Sequence, residues 1–502
     1  MIRAVFCLNG PDEVNGPNVW LTRHLPLLRK HGIAPEVHYL SWYPEKPCRF
    51  RSRLEAAGVP TRVVHLTRFL EDNIEAIVRP LAEDPPHVFV PNYSVPGHFA
   101  ARFLREAGVA TIGVMHSDDP YYHDILDMFV NGPAAWRLSG LVGVSQFLAE
   151  LVRRELTADV PYLDAPYGTP VPSSTACHVA GNFRLIYCGR LVERQKRVRR
   201  VAEAMVAAAN TIPGCDGVFY GDGPERASLT SYLAQACPAG QIRLGGVLEP
   251  DAIQDRMLTA QAFVLLSDFE GLSIALMEAM ASGLVPVISR MRSGSDDLVI
   301  DGVNGYVVDP DDKEAFVRVI QAMAVDPVLW GRLSQAARET ITARGYSAER
   351  CAERWAGFMR GLVAGKHRRR VSMPAQDEWH LPPRSSRPDG IRSEDRRKVR
   401  GALESALGAG RPVYLWGASL AGEVFITSIP QLAGRLAGFV DSNPAKHGTR
   451  FHGLEVVAPA TLFARRAAGD QPFVIITSQY AVEIGSSLVA AGFAEELDFV
   501  AS

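Results

Sequence analysis

Short apolar runs alternate with amphipathic segments along most of the chain. Runs such as IRAVFCLN and HVFVPN near the amino end, AFVLLSDFEG in the middle and PFVIITS near the carboxyl end have the composition of buried strands. Segments with helical spacing, such as Trp20 to Lys30, separate these runs. Strands that alternate with helices in this way predict parallel sheets with helices on both faces, an α/β fold.

The alternation divides into three series. We predict a first lobe at residues 1–173, a second lobe at 174–364 that ends in a helix, and a small α/β domain at 400–502. Residues 365–399 contain several prolines, an excess of arginine and no apolar periodicity. That composition is typical of a basic, mobile linker.

Composition narrows the classes of function. The chain has 502 residues, 47% of them apolar, so it can bury several cores. Its net charge of −2 gives no overall attraction for nucleic acid, and we expect no nucleic-acid partner. Seven cysteines without a C-x-x-C pair are typical of a reduced cytoplasmic protein without zinc. The first residues lack the pattern of a signal peptide, which also favours a cytoplasmic location.

Residues 270–283, EGLSIALMEAMASG, carry the most specific chemical pattern. Glu270 and Glu278 bracket a small-residue turn that follows an apolar run and opens a helix. The first amides of a helix attract anions, whereas carboxylates beside them suit sugar hydroxyls. An anion site with hydroxyl acceptors indicates a nucleotide sugar. The alternative is a buried helix with one solvated and one capping glutamate.

This stretch, with the following LVPVISRMRSGSDDLVIDGVNGYVVDPDD, closely resembles the donor-binding signature of retaining family 4 glycosyltransferases. The resemblance implies a GT-B fold of two Rossmann-like lobes over residues 1 to about 364, with a terminal helix crossing back to the first lobe. It assigns the transferred sugar to Glu270 and the ribose to Glu278. The implied contacts to the diphosphate are the turn amides of Gly271, Leu272 and Ser273.

A departing diphosphate needs positive charge, from a metal ion or from fixed protein groups. Two acidic doublets are present, Asp118-Asp119 and Asp296-Asp297. Their spacing is more typical of solvated or capping pairs than of metal ligands. In CGRLVERQKR, the resemblance implies that Arg190 and Lys196 bind the diphosphate, and we expect catalysis without a metal. The alternative is a basic helix start on the surface.

Further family positions are matched less closely. Gly221 in GDGPE and Gly246 correspond to glycines near the nucleotide, and backbone geometry alone also explains the turn glycine. Gly16 corresponds to the glycine-rich turn of the first lobe. His116 lies where the family has a histidine that faces the sugar, although a lone histidine at a strand end is more often structural.

The first lobe binds the acceptor in the family. One of its predicted helices carries Arg23, Arg29 and Lys30, which form either a solvated face or a surface that touches a membrane holding a lipid-linked acceptor. The expected partners are therefore a nucleotide sugar and a glycan or lipid-linked acceptor, with peripheral contact at the inner membrane face as one alternative.

The third domain has its own candidate ligand site. WGASLAGEV places Gly417 and Gly422 between a strand and a helix, and Asp441 ends the next strand. The order fits a nucleotide-binding fold with an acid on the ribose, although Ser419 replaces the middle glycine of G-x-G-x-x-G. A bound nucleotide and a docking or regulatory role are both open, and no other cofactor is expected.

Together these features predict a retaining hexosyltransferase that moves a sugar from a nucleotide sugar to a glycan or lipid-linked acceptor. Synthesis of cell-surface polysaccharide or glycoconjugate is the expected setting. Two alternatives remain open: a sugar-nucleotide epimerase of the same fold, and a non-catalytic protein that binds a nucleotide sugar and recruits partners.

Overall fold

The structure is a computed structural model. It describes residues 1–10, 15–43, 46–295, 297–375, 379, 396–429, 432, 434–478 and 480–501.

The first lobe is an α/β layer structure. Its strands are β1 (Ile2–Asn9), β2 (Ile33–Ser41), β3 (Thr61–His65), β4 (Val88–Asn92), β5 (Ala110–Met115), β6 (Gly140–Gly143) and β7 (Tyr162–Asp164). Its helices are α1 (Gly16–Leu28), α2 (Arg49–Ala56), α3 (Leu70–Val78), α4 (Val95–Glu106), α5 (Pro120–Phe129) and α6 (Gln146–Glu155), with 3₁₀ turns at Arg29–His31 and Arg79–Leu81. The strands form a parallel sheet in the order β3-β2-β1-β4-β5-β6-β7. Every residue of β4 and β5 is buried, as expected for a sheet covered on both faces.

The second lobe repeats this architecture. Its strands are β8 (Phe183–Cys188), β9 (Cys215–Tyr220), β10 (Ile242–Gly246), β11 (Ala262–Leu265), β12 (Phe269–Glu270), β13 (Val285–Ser289), β14 (Arg292–Ser293) and β15 (Tyr306–Val308). Its helices are α7 (Glu193–Lys196), α8 (Val198–Thr211), α9 (Arg226–Ala236), α10 (Pro250–Met257), α11 (Ile274–Ala281), α12 (Lys313–Val325) and α13 (Pro327–Ala343). The main sheet is parallel in the order β10-β9-β8-β11-β13-β15, and β12 pairs with β14 beside it.

Helix α14 (Ala348–Val363) follows the second lobe and packs on the first. The ring of Trp355 lies 5.4 Å from that of Trp20 on α1 and 6.4 Å from that of Phe6 on β1. Arg360 donates to the carbonyl oxygen of His31 at 2.9 Å. These contacts join the two lobes through one shared hydrophobic core.

The segment after α14 differs from the predicted mobile linker. In the described part, Arg369 donates its amide to Ala107 and Val371 to Ala82, so residues near 370 run along the first lobe. Trp379 is 2% exposed and packs in the first-lobe core. Val371, Met373 and Trp379 pack against the first-lobe core, and so few apolar anchors leave no periodicity in the sequence. Residues 376–378 and 380–395 lie outside the described part.

The third unit comprises α15 (Arg396–Gly408), β16 (Val413–Trp416), α16 (Leu420–Ser428), β17 (Leu436–Val440), β18 (Arg450–Phe451), β19 (Leu454–Val457), α17 (Pro459–Ala467), β20 (Phe473–Ile476), α18 (Ala481–Ala490) and β21 (Phe499–Ala501). A 3₁₀ turn covers Pro444–Lys446. The sheet order is β18-β19-β17-β16-β20-β21, parallel except for the β18–β19 pair. This unit docks on the first lobe, where Phe69 packs against Phe425 and the Arg68 amide donates to Ser428 Oγ at 2.8 Å.

Across the helices of the described residues, none combines the length and apolar content that crossing a membrane requires.

Candidate active site between the first two lobes

The predicted strand, turn and helix around residue 270 are present. The buried strand β11 leads through Ser267 to Glu270, and α11 begins at Ile274. The side chain of Ser273 caps this helix by accepting from the amide of Leu276 at 3.3 Å. Gly271, Leu272 and Ser273 therefore form the short connection between β12 and α11, as the sequence predicts.

Glu270 is buried and paired with a cation. The residue is 6% exposed, and its Oε1 accepts from Ser267 Oγ at 2.7 Å. The same oxygen forms an ion pair with Lys196 Nζ at the end of α7. Glu270 is buried and Lys196 is partly buried, and their opposite charges offset each other, which reduces the cost of removing each from water. The carboxylate assigned to the sugar and the ammonium assigned to the diphosphate thus lie side by side.

Glu278 is paired across the cleft. It lies on α11, is 5% exposed, and its Oε1 is 2.5 Å from Nη1 of Arg23 on α1 of the first lobe. Arg23 was expected on a solvated or membrane-facing surface with Arg29 and Lys30, and the structure corrects this expectation. Arg29 and Lys30 are exposed, whereas Arg23 lies in the cleft. The reason is that α1 faces α11.

The sequence contains a feature that places Arg23 on the cleft side of α1. Helix α1 starts at Gly16, earlier than the predicted Trp20, because Asn15 caps it by accepting from the amide of Asn18 at 2.9 Å. A Cβ on Gly16 would lie 3.6 Å from Cδ1 of Ile274. Residues seven apart share a helix face, so a start at Gly16 brings Arg23 to the side that meets α11.

Arg190 lies close to the same segment. It is exposed, and its guanidinium donates to Gln195 Oε1 at 2.8 Å. Gln195 in turn donates through Nε2 to the carbonyl oxygen of Phe269 at 3.2 Å. Gln195 therefore connects Arg190 and α7 to the strand that carries Glu270, a role that sequence analysis missed because glutamine has no charge signature.

The glycines of the site let backbones approach closely. A Cβ on Gly271 would overlap the carbonyl oxygen of His116, so the loop after β5 of the first lobe rests directly on the turn before α11. Gly294 donates its amide to the carbonyl oxygen of Gly271 at 2.9 Å. Only glycine fits between these two lobes at position 271.

Gly221 and Gly246 lie together at the ends of β9 and β10. Gly221 has a φ of +146°, and a Cβ there would overlap the carbonyl oxygen of Gly189. Its amide donates to the carbonyl oxygen of Gly246 at 2.9 Å. Gly246 has a φ of +74°, and the space beside it is open. Gly221 thus has a clear structural reason to be glycine, while Gly246 borders free space at the sheet edge.

His116 is buried with both ring nitrogens bonded to protein groups. Nε2 lies 2.5 Å from Oδ1 of Asn92, and Nδ1 lies 2.9 Å from the hydroxyl of Tyr167. Since an amide oxygen only accepts, these partners assign the proton to Nε2. Burial lowers the pKa of His116 to about 3. The ring is therefore neutral, and it is the backbone carbonyl of His116 that reaches the second lobe.

The acidic doublets make protein contacts. Asp118 pairs with His123 at 2.7 Å, Asp119 caps α5, and Asp297 accepts from the first turn of α6 at 3.1 Å. Asp296 lies outside the described residues. Among the residues that are described, no group of three or more His, Cys, Asp or Glu side chains is placed to hold a metal ion.

The candidate residues of the third unit lie apart from this cleft. Gly417 has a φ of +130°, and a Cβ on Gly422 would overlap the carbonyl oxygen of Gly417. Asp441 lies at the end of β17, where Oδ2 accepts from the Ala418 amide at 3.0 Å and from Lys446 Nζ at 2.9 Å. Its carboxylate thus supports the turn after β16.

The second lobe is similar in sequence to known glycosyltransferases. Residues 178–340 match the model of the family described as glycosyl transferases group 1. The lipopolysaccharide core biosynthesis glycosyltransferase LpsE of Rhizobium meliloti (strain 1021) is 29% identical over 191 residues, 38% of this chain and 50% of LpsE. The alpha-D-kanosaminyltransferase of Streptomyces kanamyceticus is 26% identical over 178 residues, 36% of this chain and 45% of that protein. The chain thus spans about half the length of these relatives.

Solved structures extend the likeness to both lobes. The pneumococcal O-GlcNAc transferase GtfA, solved with UDP and GlcNAc, superposes with a TM-score of 0.60 at 12% identity, covering 72% of this chain and 99% of that one. Anabaena HepE, solved with UDP and glucose, gives 0.60 at 14% identity over 72% and 100%. At such identities the likeness concerns the fold, and it confirms the predicted α/β class with the GT-B arrangement.

Proposed function

We propose that the chain is a glycosyltransferase that moves a sugar from a nucleotide sugar to a glycan or lipid-linked acceptor with retention of anomeric configuration. The observation that carries this proposal is the ion pair between Lys196 and the buried Glu270 at the turn before α11, beside the first-lobe loop at His116. The match of residues 178–340 to glycosyl transferases group 1 supports it, because the pair lies within that segment.

Donor binding exchanges charge partners in the cleft. Lys196 and Arg190 take the diphosphate, with the amides of Gly271, Leu272 and Ser273 beside them. Glu270, released from Lys196, accepts a hydrogen bond from a hydroxyl of the transferred sugar. Glu278 accepts hydrogen bonds from the ribose hydroxyls.

The transfer itself is a front-face displacement. The bond between the anomeric carbon and the diphosphate oxygen breaks, and its electrons remain on the diphosphate. The acceptor oxygen bonds to the anomeric carbon on the same face, and its proton passes to the leaving phosphate oxygen. Glu270 stabilises positive charge on the sugar ring. The hydrogen bond that Glu270 accepts from Ser267 makes its carboxylate a poorer nucleophile, which favours this route over a glycosyl-enzyme.

His116 acts in this proposal as a positioning residue. Its ring holds Asn92 and Tyr167, and its carbonyl oxygen lies against the turn at Gly271, so it fixes how the first lobe meets the donor. Gly16, at the start of α1, meets the start of α11 in the same way. The aligned surfaces of the two lobes bring the acceptor to the sugar.

We assign the reaction to the cytoplasmic side and to the synthesis of a cell-surface polysaccharide or glycoconjugate. The name of the Rhizobium relative refers to lipopolysaccharide core biosynthesis, which supports this setting. UDP-sugars are the donors to test first, because UDP occupies the GtfA and HepE structures. Contact with a lipid-linked acceptor at the membrane would use the exposed Arg29 and Lys30, since Arg23 is engaged in the cleft.

A donor screen with matched variants tests the proposal. UDP-glucose, UDP-GlcNAc, GDP-mannose and ADP-glucose are each offered as radiolabelled donors with a cell-envelope extract as acceptor. Lys196→Ala removes a group that stabilises the leaving diphosphate, and Glu270→Ala removes the carboxylate that holds the sugar. Each substitution should reduce transfer about 100-fold or more. Arg194→Ala is the control, because Arg194 is an exposed cation on the same short helix.

Full activity of both cleft variants would refute the proposal. Conversion of the donor sugar in the absence of any acceptor would instead identify an epimerase. Thermal unfolding of each variant shows whether a loss of activity reflects the site or the fold.

A further inference from the structure

A second cavity lies between the first lobe and the third unit. Its volume is about 820 Å³. On the third unit it is lined at the carboxyl ends of three strands: Gly417 and Ser419 follow β16, Asp441 and Ser442 follow β17, and Thr477 and Ser478 follow β20. The cavity is therefore at the same end of its sheet as ligand crevices in other open parallel sheets.

The position along the sheet is equally specific. β16 lies between β17 and β20, and the chain passes from β16 to β17 on one side before it returns to β20 on the other. This reversal of strand order is the switch point at which loops diverge and leave a crevice. The close approach of the two loops is visible at Gly417, where a Cβ would lie 2.8 Å from Thr477 Oγ1.

The first lobe supplies the opposite wall. Trp42 and Tyr43, which follow β2, line the cavity together with Arg68. The hydroxyl of Tyr43 lies 3.5 Å from Oε2 of Glu423 on α16, which brings the two walls into contact. The cavity is thus composite: the third unit forms most of its lining, and the first lobe closes one side.

We propose that this composite cavity binds a nucleoside phosphate. Four aromatic side chains border it, two from each unit, and a planar base can stack between them; they are Trp42, Tyr43, Trp416 and Tyr480. Glu483 and the hydroxyls at the strand ends suit a ribose. Arg68 and Lys446 both line the cavity and bring positive charge to it for the phosphate. Lys446 also pairs with Asp441 at 2.9 Å.

This assignment modifies the role expected for Asp441. The acid was predicted to hold the ribose directly, yet its oxygens accept from the amides of Ala418 and Asn443 and from Lys446. Asp441 therefore shapes the turn that forms the cavity floor. Glu483, on the first turn of α18, is the carboxylate that faces the ligand in this proposal.

A ligand in a composite cavity strengthens the contact between its walls. Occupation should therefore stabilise docking of the third unit on the first lobe, by mass action on the docked state. This link to the lobe expected to bind acceptor distinguishes the proposal from a nucleotide site confined to the third unit.

The test uses the full chain and calorimetric titration with ADP, GDP, UDP and CDP, each alone. Ser486 and Ser487 are both exposed, and both hydroxyls donate to the carbonyl oxygen one turn earlier on α18. Ser487 lines the cavity, whereas Ser486 does not. Ser487→Trp should weaken binding of at least one nucleotide about tenfold or more, a change of about 1.4 kcal/mol. Ser486→Trp is the matched control and should leave binding unchanged.

Two further variants separate this site from the donor cleft. Trp42→Ala should weaken binding of the same nucleotide, because the first lobe supplies part of the cavity wall. Lys196→Ala should leave it bound. Binding that depends on Lys196 alone, or equal binding by Ser487→Trp and Ser486→Trp, would overturn the proposal, and so would binding that survives Trp42→Ala unchanged. Transfer activity of Ser487→Trp reports on the cleft independently.

Discussion

Each glutamate of the cleft is matched by a cation from another part of the chain. Lys196 forms an ion pair with Glu270, and Arg23 forms an ion pair with Glu278. A carboxylate as buried as these loses most of its hydration, so its charged form depends on the partner cation for stabilisation. Removing one member of such a pair leaves an uncompensated charge.

The Arg23–Glu278 pair allows a double-mutant test. Arg23→Ala should lower the free energy of unfolding by about 3 kcal/mol, because Glu278 remains buried without its cation. Adding Glu278→Gln should recover much of that loss. Urea unfolding of the wild type, both single variants and the double variant measures the coupling. Additive effects of the two substitutions would contradict the ion pair across the cleft.

Three buried histidines predict how stability depends on pH. Burial lowers the pKa of His24 to about 3, of His98 to about 4 and of His116 to about 3. The unfolded chain binds protons at these sites below about pH 6.5, whereas the folded chain binds them only when the pH falls to about 3 to 4. Stability is therefore fully present above that pH and falls as the pH drops toward 3 to 4.

Each histidine should contribute up to about 1.4 kcal/mol per pH unit in this window. Urea midpoints followed by tryptophan fluorescence from pH 7.5 to pH 4.5 measure the slope. His98→Asn should remove the contribution of one histidine, which is up to about 1.4 kcal/mol per pH unit of that slope. A flat profile between pH 6.5 and pH 4.5 would contradict neutral, buried histidines.

At the scale of elements, the order of strands and helices was largely predictable. Apolar runs ending in small residues mark buried parallel strands, and EGLSIALMEAMASG predicted the turn and α11 correctly. The start of α1 was placed too late because the cap at Asn15 precedes the apolar residues. The contact of Arg23 with Glu278 was not predictable, since it joins residues far apart in sequence and no periodicity reports it.

The turn at Gly271 gives a prediction at this scale. Gly271→Ala should force the turn away from the carbonyl oxygen of His116 and strongly reduce transfer, while both lobes remain folded. Gly331→Ala on α13 is the control, because the space beside Gly331 is open and alanine is the better helix former. Transfer assays and thermal unfolding compare the two variants. Equal activity would show that the lobes do not meet at this turn during catalysis.

At the scale of the whole molecule, the described residues form three α/β units that share surfaces. α14 joins the second lobe to the first, the segment near Val371 runs along the first lobe, and the third unit docks at Phe69. The alternation of strands and helices predicted three units, and the family resemblance predicted that a terminal helix crosses back to the first lobe. The path near Val371 and the docking at Phe69 were not predicted. Docking depends on single anchors such as Trp379 and Phe69, whose partners are set by the tertiary fold.

The central claim is that protein groups at the mouth of α11 neutralise the departing diphosphate. The most direct measurement is transfer from the best UDP-sugar in excess EDTA, with Lys196→Ala and Arg194→Ala assayed alongside the wild type. We expect EDTA to leave the rates of the wild type and of Arg194→Ala unchanged, whereas the transfer rate of Lys196→Ala should fall about 100-fold or more. Loss of wild-type transfer in EDTA, or full transfer by Lys196→Ala, would contradict it.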